Sequence, residues 1–267
     1  FIKHPPKKHI AINKSNIGID LFFRLDEHYE CHPASFFTLL NNKATLLNNK
    51  NFKATWNQLD YLVKDRIPSF FHGAQTNTDL EVFHALYQIL PEKCTLHLGN
   101  SSVVRYMQLF DPVPHVNYEC NRGTSGIDGC TSTAIGSAIA NAEGKHILIS
   151  GDVSFIYDSN ALWIRPFPQN LKIIVLDNQG GGIFKIIDGS KSSKQLERYF
   201  EAKHNANVTD IAKGFGLIVY SPKKNKDYQE QMIDFFQDEK AQILVLKTDS
   251  IENPKALNRF FKHLNNA

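Results

Sequence analysis

The sequence predicts an α/β fold: a doubly wound parallel sheet covered by helices on both faces, preceded by a smaller α/β segment. Three observations predict it. From Cys94 onward, short apolar runs alternate regularly with stretches of helical period. Those runs, His146 to Ser150 and Leu171 to Leu176 among them, are nearly continuous in apolar residues, as strands buried on both faces are. Two of them end in oxygen-bearing side chains and glycine, Gly151-Asp152 and Asp177-Asn178-Gln179-Gly180-Gly181-Gly182, and open parallel sheets bind ligands at such carboxyl ends.

Taken in order, 9–12 and 21–25 read as short strands and 36–40 as a helix. Leu39-Leu40-Asn41-Asn42-Lys43 recurs once as Leu46-Leu47-Asn48-Asn49-Lys50. A single repetition makes no coiled coil and reads as a helix end followed by a loop. Thr55-Trp56-Asn57-Gln58 and Thr78-Asp79-Leu80-Glu81 have the spacing of capping boxes, so each opens a helix, with 68–77 as the connection between them. The second helix carries Leu80, Phe83, Tyr87 and Leu90 on one face until Pro91 stops it. Strands follow at 95–98, 115–120, 146–150, 171–176 and 242–247, and helices at 101–110, 125–141, 154–163, 194–202, 207–215 and 227–237. Phe155, Ile156, Leu162 and Trp163 mark the apolar face of the helix at 154–163. A last helix carries Leu257, Phe260, Phe261 and Leu264.

With 267 residues, 42% hydrophobic and 21% charged, the chain can bury one full core and part of a second. The formal net charge of +3 is small and the lysines are scattered, so nothing calls for nucleic acid. Cys31, Cys94, Cys120 and Cys130 show no CxxC spacing and read as buried or half-buried thiols in a reducing compartment. No apolar run approaches a membrane span and no signal peptide is visible, so the expectation is a cytoplasmic protein without a membrane partner. The opening residues, Phe1-Ile2-Lys3-His4-Pro5-Pro6, carry no Met, which suggests a piece of a longer polypeptide.

Asp152 and Asn178 offer one carboxylate and one amide oxygen 26 residues apart, each just past an apolar strand. Neighbouring strands would bring both to one Mg²⁺, which takes about six oxygen ligands and commonly shares them with phosphates. Gly180 allows its backbone carbonyl to turn inward, and the glycines permit close approach of a diphosphate. Ser154, where a helix begins, can meet phosphate oxygens at the positive helix end. Taken singly, Gly-Asp is a strand-ending turn and the glycine run a flexible loop; the pair in this order is far more specific. Arg105 and Arg122 also lie just past strand ends. A guanidinium grips a carboxylate through two parallel hydrogen bonds, so two of them suggest a multiply carboxylated substrate, although any one surface Arg reads by default as a solvated charge.

The Gly-Asp and Asn spacing resembles the thiamin diphosphate signature. The stretches Gly99-Asn100-Ser101, Val103-Val104-Arg105, Asn121-Arg122-Gly123, Ser125-Gly126-Ile127-Asp128-Gly129, Gly151-Asp152, Tyr157-Asp158, Asn160-Ala161-Leu162, Asn178, Gly180-Gly181 and Ile183-Phe184 resemble one thiamin-dependent family in particular. It is the 2-succinyl-5-enolpyruvyl-6-hydroxy-3-cyclohexene-1-carboxylate synthase family of menaquinone biosynthesis. The resemblance covers roughly residues 94 to 190. It implies a transferase of the carboligase type that decarboxylates 2-oxoglutarate and adds the resulting succinyl-semialdehyde carbanion to isochorismate. Both substrates are dicarboxylates, and the enzyme is a homo-oligomer, dimer or tetramer.

By this resemblance Asp152, Asn178 and the Gly180 carbonyl hold Mg²⁺, and Gly151, Val153 and Ser154 border the diphosphate. Ile127 is the wedge under the bent cofactor, with plain core packing as the competing reading. Ser101, Arg105 and Arg122 face substrate carboxylates, and Ile183 and Phe184 line the substrate side. His97, His115 and His146 keep core or loop readings. Asp177 departs from the motif, which commonly has Asn there, and Lys191, Lys194 and Arg198 read as a solvated face. The implied layout is a remnant of a partial middle α/β domain over 1–53, a helical linker over 54–88 and the diphosphate-binding domain over 89–267. The carboxylate that activates the cofactor belongs, in the family, to a separate pyrimidine-binding domain. The expectation is therefore no catalytic residue on this chain and no turnover by it alone. Two alternatives stay open: another thiamin enzyme, of the acetolactate synthase or 2-oxo acid decarboxylase type, and a non-catalytic nucleotide-binding α/β module. A dinucleotide role is weak, since no GxGxxG follows the first strand.

Overall fold

Continuous apolar runs can satisfy their backbone only beside other strands and bury both faces only between helices, and that is how the computed structural model arranges them. It describes residues 6–43, 50–72, 77–220, 227–240 and 242–265. The second copy of the Leu-Leu-Asn-Asn repeat and residues 1–5 lie outside these. Two units are distinguished, 1–62 and 63–267, and the division falls inside the 54–88 stretch.

In the first unit, β1 (Ile10–Asn13) pairs in parallel with β2 (Glu27–Glu30), followed by α1 (Pro33–Lys43). The expected strand at 21–25 is instead a turn. The Asp20 carboxylate accepts from the backbone N–H of Phe22 (3.3 Å) and Arg24 (2.8 Å), which curls the chain away from extended geometry.

Helix α2 (Lys50–Phe71) starts before Thr55 and runs through Pro68, so both the expected cap and the expected start of the connection are corrected. Thr55 is interior, its hydroxyl donating to the Asn51 carbonyl at 2.8 Å one turn back. The turn containing Pro68 is held by packing: the Phe70 ring meets Phe260 edge-on at 5.1 Å, and the Phe71 ring stacks on His84 at 3.7 Å.

The second unit contains α3 (Asp79–Ile89), β3 (Cys94–Leu98), α4 (Ser102–Met107), β4 (Asn117–Glu119), α5 (Cys130–Ala140), β5 (Lys145–Gly151) and α6 (Asp152–Tyr157). It continues with β6 (Leu171–Asp177), α7 (Val208–Gly214), β7 (Val219–Tyr220), α8 (Tyr228–Gln237), β8 (Ile243–Lys247) and α9 (Glu252–Asn265). Thr78 and Glu81 close the expected capping box on α3, whose Leu80, Val82, Phe83 and Leu86 are buried in the core.

The six strands lie in the order β4-β3-β5-β6-β8-β7, and every pairing is parallel. Along β5, Ile147 and Ile149 enter one core with Leu80, Phe235 and Phe260, while Leu148 enters the other with Ile135 and Phe155. The sheet is therefore doubly wound, as expected. The two-residue β7 carries no legible strand pattern.

Several helices are shorter than their sequence spans. Helix α5 begins at Cys130 and not at Ser125, because Ser125 (φ 62°) and Gly129 (φ 73°) take left-handed backbone that ends the preceding turn. The stretch 154–163 divides into α6 and a 3₁₀ turn over Ser159–Trp163. Phe155 and Leu162 are buried, but Trp163 points to solvent, since the tighter turn rotates it off the apolar face. Residues 194–202 hold a single π turn, Leu196–Phe200.

From β3 the chain moves outward to β4 and then returns to place β5 on the other side of β3. This reversal opens a crevice beyond the carboxyl ends of β3 and β5, where open α/β sheets take ligands. Gly99 closes the crevice floor: its N–H donates to the Ile149 carbonyl at 2.8 Å, and a Cβ there would stand 3.1 Å from that oxygen.

Candidate functional site

Strand β5 delivers Asp152 to the crevice as the first residue of α6, buried to 1% exposure. Its Oδ1 accepts from the Val153 N–H at 2.7 Å and its Oδ2 from the Gly180 N–H at 3.1 Å. His204 Nε2 lies 3.3 Å from Oδ2. Burial pushes the Asp152 carboxyl up to about 6 and the nearby Asp177 charge adds to this, against the downward pull of the Val153 N–H, His204 and the Gly180 N–H. Gly151, at the end of β5, leaves open space where a Cβ would be.

The neighbouring strand β6 pairs Leu176 with Gly151 and so brings Asn178 to the same end of the sheet. Asn178 is buried; its Nδ2 faces Asp79 at 3.5 Å and its Oδ1 has no hydrogen-bond partner. Asp177 Oδ1 is likewise buried and unpaired. Gln179 turns the chain with φ 61°. The Gly180 carbonyl accepts from Gly182 N–H at 3.0 Å, which leaves it a second lone pair. The Gly181 N–H donates to the Glu201 carbonyl.

Ser154 is the third residue of α6, and its hydroxyl donates to the Ile127 carbonyl at 2.5 Å. The tie fixes half-buried Ile127 beside the segment that carries Asp152. Arg122 is exposed and donates through Nη1 to Asn100 Oδ1 at 3.0 Å. It borders an open, mainly apolar hollow of about 420 Å³ walled by Leu98, Val104, Met107, Phe110 and Tyr118. Ser101 stands just before α4 with φ 75°, and Arg105 is exposed in the last turn of that helix. Ile183 is buried and Phe184 half-buried in a 3₁₀ turn after the glycines, with the Phe184 ring 5.7 Å from Phe200. Lys191, Lys194 and Arg198 are exposed, as read.

His97 and His146 are buried on the sheet, Nε2 to Nδ1 3.1 Å apart, and His115 is an exposed turn residue. The cysteines are free, Cys94 and Cys130 buried, Cys31 and Cys120 half-buried.

Four side chains that no single motif marked organise this end of the sheet. Buried Asn100 donates through Nδ2 to the carbonyls of Asn121 and Gly126, both at 2.7 Å, and so ties the loop after β3 to the loop after β4. Asp158 accepts from the Ser132 N–H at 2.7 Å and from its hydroxyl at 3.0 Å, capping α5 from outside the helix. Glu201, 1% exposed, pairs with Lys185 at 2.6 Å behind the glycines. His204 reaches Asp152 from the same segment. Asn100 and Asp158 lie within the stretches that resemble the thiamin-dependent family, but Glu201 and His204 carry no local signal.

The donors suit a hard cation. No group of three or more His, Cys, Asp or Glu side chains able to hold a metal occurs among the described residues. The oxygens at this end of the sheet are the Asp152 carboxylate, the unpaired Asp177 Oδ1 and Asn178 Oδ1, and the Gly180 carbonyl, a set that suits a hard cation such as Mg²⁺ completed by phosphate and water and not a soft metal. No helix among the described residues is long and apolar enough to cross a membrane.

The family description "Thiamine pyrophosphate enzyme, C-terminal TPP binding domain" matches residues 99–246, from the loop after β3 into β8. The chain is similar to the 2-succinyl-5-enolpyruvyl-6-hydroxy-3-cyclohexene-1-carboxylate synthase of Flavobacterium psychrophilum, 36% identical over 267 residues, 98% of this chain and 47% of that protein. The synthase of the same name from Christiangramia forsetii is 40% identical over 188 residues, 70% of this chain and 32% of that protein. The chain thus spans less than half the length of these relatives. Among solved structures, benzoylformate decarboxylase from Polynucleobacter necessarius superposes with a TM-score of 0.52 at 13% identity, over 64% of this chain and 33% of that one, a likeness of fold alone. The matched stretch contains the whole crevice from Gly99 to Gly182, and the chain belongs to the thiamine pyrophosphate enzymes through their C-terminal TPP binding domain.

Proposed function

We propose that this chain is the metal- and diphosphate-binding part of a Mg²⁺-dependent carboligase that decarboxylates 2-oxoglutarate and joins the remaining four-carbon unit to isochorismate, giving 2-succinyl-5-enolpyruvyl-6-hydroxy-3-cyclohexene-1-carboxylate. One observation carries the reading: Asp152 and Asn178 follow the adjacent strands β5 and β6 at the carboxyl end of the sheet, and the Asn178 Oδ1 is buried without a partner. Asp152, Asn178 and the Gly180 carbonyl would hold Mg²⁺. Gly151, Val153 and Ser154 would border the diphosphate, and Ile127 would support the cofactor. Thiamin diphosphate, when bound, supplies the electron sink that lets a 2-oxo acid lose CO₂ and pass on its remaining carbons.

Arg105 and Arg122 would grip substrate carboxylates, with Ser101, Ile183 and Phe184 lining the same side. The Arg122 guanidinium is oriented by Asn100 and needs little reorganisation to accept an anion. The reading also holds that the activating carboxylate comes from a pyrimidine-binding domain of a homo-oligomer, so that residues 1–267 by themselves bind the cofactor without turnover.

Titration with Mg²⁺ and thiamin diphosphate followed by calorimetry tests the site, with ATP and NAD as controls for a nucleotide-binding module. Binding of either nucleotide in place of thiamin diphosphate would refute the proposal. In the assembled enzyme, Arg122→Ala should raise KM for 2-oxoglutarate at least tenfold and leave monocarboxylate 2-oxo acids little changed. Equal effects on both would favour a thiamin enzyme of the acetolactate synthase or decarboxylase type.

A further inference from the structure

We infer that Asp79, the first residue of α3, is a positioning residue that sets the direction of the Asn178 amide; this rests on the metal site proposed above. Asp79 is 2% exposed, and 99 residues separate it from Asn178. Its Oδ1 accepts from the Thr248 hydroxyl at 2.5 Å, and its own N–H donates to Asn253 Oδ1 at 2.8 Å. With Oδ1 fixed by Thr248, Oδ2 is presented to Asn178 Nδ2 at 3.5 Å.

An amide has two dissimilar ends and can turn either one toward a neighbour. With the Thr248 hydroxyl donating to Oδ1, the Asp79 Oδ2 faces Asn178 as an acceptor, and an acceptor there selects the NH₂ end. The Asn178 Oδ1 is then forced to the opposite side, where it stands buried and unpaired. A cation needs that orientation, since an NH₂ group cannot ligate it. Burial holds the Asp79 carboxyl above the usual carboxylate range, with the hydrogen bonds from the Thr248 hydroxyl and the Asn178 amide pulling the other way. Its place in the first turn of α3 adds the attraction of the helix N-terminus for an anion. The contact is one step removed from the metal, a position where loss of a partner commonly costs ten- to a hundredfold in metal affinity.

The test is the Mg²⁺ midpoint of the full chain in saturating thiamin diphosphate, read by calorimetry, with thermal stability measured in parallel. Asp79→Asn keeps the shape but removes the acceptor-only group, so the amide is free to turn; the midpoint should rise about tenfold. Glu81→Ala breaks the capping box on the same helix, where Glu81 accepts from the Thr78 N–H at 2.9 Å, without touching the carboxylate. It should lower the melting temperature and leave the midpoint in place. Thr248→Val, a milder change, should move the midpoint the same way by about threefold and serves if Asp79→Asn does not fold. An unchanged midpoint in Asp79→Asn, or an equal rise in Glu81→Ala, overturns the inference while the metal site stands. A wild-type chain that binds no Mg²⁺ overturns the site and the inference together.

Discussion

Replacing Gly180 by Ala should destabilise the chain by steric means alone, because its backbone is not in the left-handed region. A Cβ there would lie 2.8 Å from the backbone oxygen of Glu201, well inside the 3.4 Å at which ordinary contact begins, and 3.1 Å from Glu201 Cγ. Glu201 cannot readily give way. Its side chain is 1% exposed and paired with Lys185 at 2.6 Å, and its carbonyl already accepts the Gly181 N–H. Forcing the two segments apart costs about 1–3 kcal/mol as overpacking. Losing the Gly181 hydrogen bond adds about 0.5–1.5 kcal/mol. The stiffer unfolded chain returns about 0.4–1 kcal/mol. The expected net loss is about 0.5–4 kcal/mol, read from urea unfolding.

The same geometry ranks two companions. Gly181→Ala meets the Glu201 oxygen and the Phe184 ring at 3.2 Å, so its cost should be smaller. Gly151→Ala meets nothing within 4 Å and should be close to neutral. A Gly180→Ala variant as stable as Gly151→Ala would refute the reasoning.

Asp158→Ala should cost about 1–2 kcal/mol in thermal or urea unfolding, since it strips α5 of its outside cap at Ser132. The buried His97 is pushed down to about 4 by burial and, secondarily, by His146. Its folded-state value lies below the ordinary 6.5, so the unfolded chain takes up the proton first as pH falls. The stability it contributes is complete above pH 6.5 and is lost between 6.5 and about 4, at most about 3 kcal/mol. Urea midpoints measured from pH 7 to pH 4 should fall, and should fall less in His97→Gln. Lys185→Met should destabilise the chain by about 3 kcal/mol or more in urea unfolding, because it leaves the Glu201 charge buried with only Lys203 at 3.6 Å in partial compensation.

Much of the fold was legible because the strands of the sheet are buried on both faces, which writes them as continuous apolar runs that local pattern detects. The ends of those runs were legible for the same reason: Asp152 and Asn178 follow directly after β5 and β6. Helix boundaries were less so. Ser125 reads as a helix start, and only the left-handed turn at Ser125 and Gly129 delays α5 to Cys130. Thr55 has a cap's spacing but lies inside α2, where a hydroxyl can equally bond one turn back.

By itself the sequence determined the α/β class, the strand runs, the Gly-Asp and Asn pair and the two arginines, because each depends on residues near one another in the chain. Tertiary structure alone decided which strands are neighbours, where the sheet reverses, and which distant groups meet the site. Asp79, Asn100, Glu201 and His204 reach it across 21 to 99 residues. No local pattern encodes such contacts: they form only when the parallel sheet and its helices bury these polar groups together, where each must find a partner.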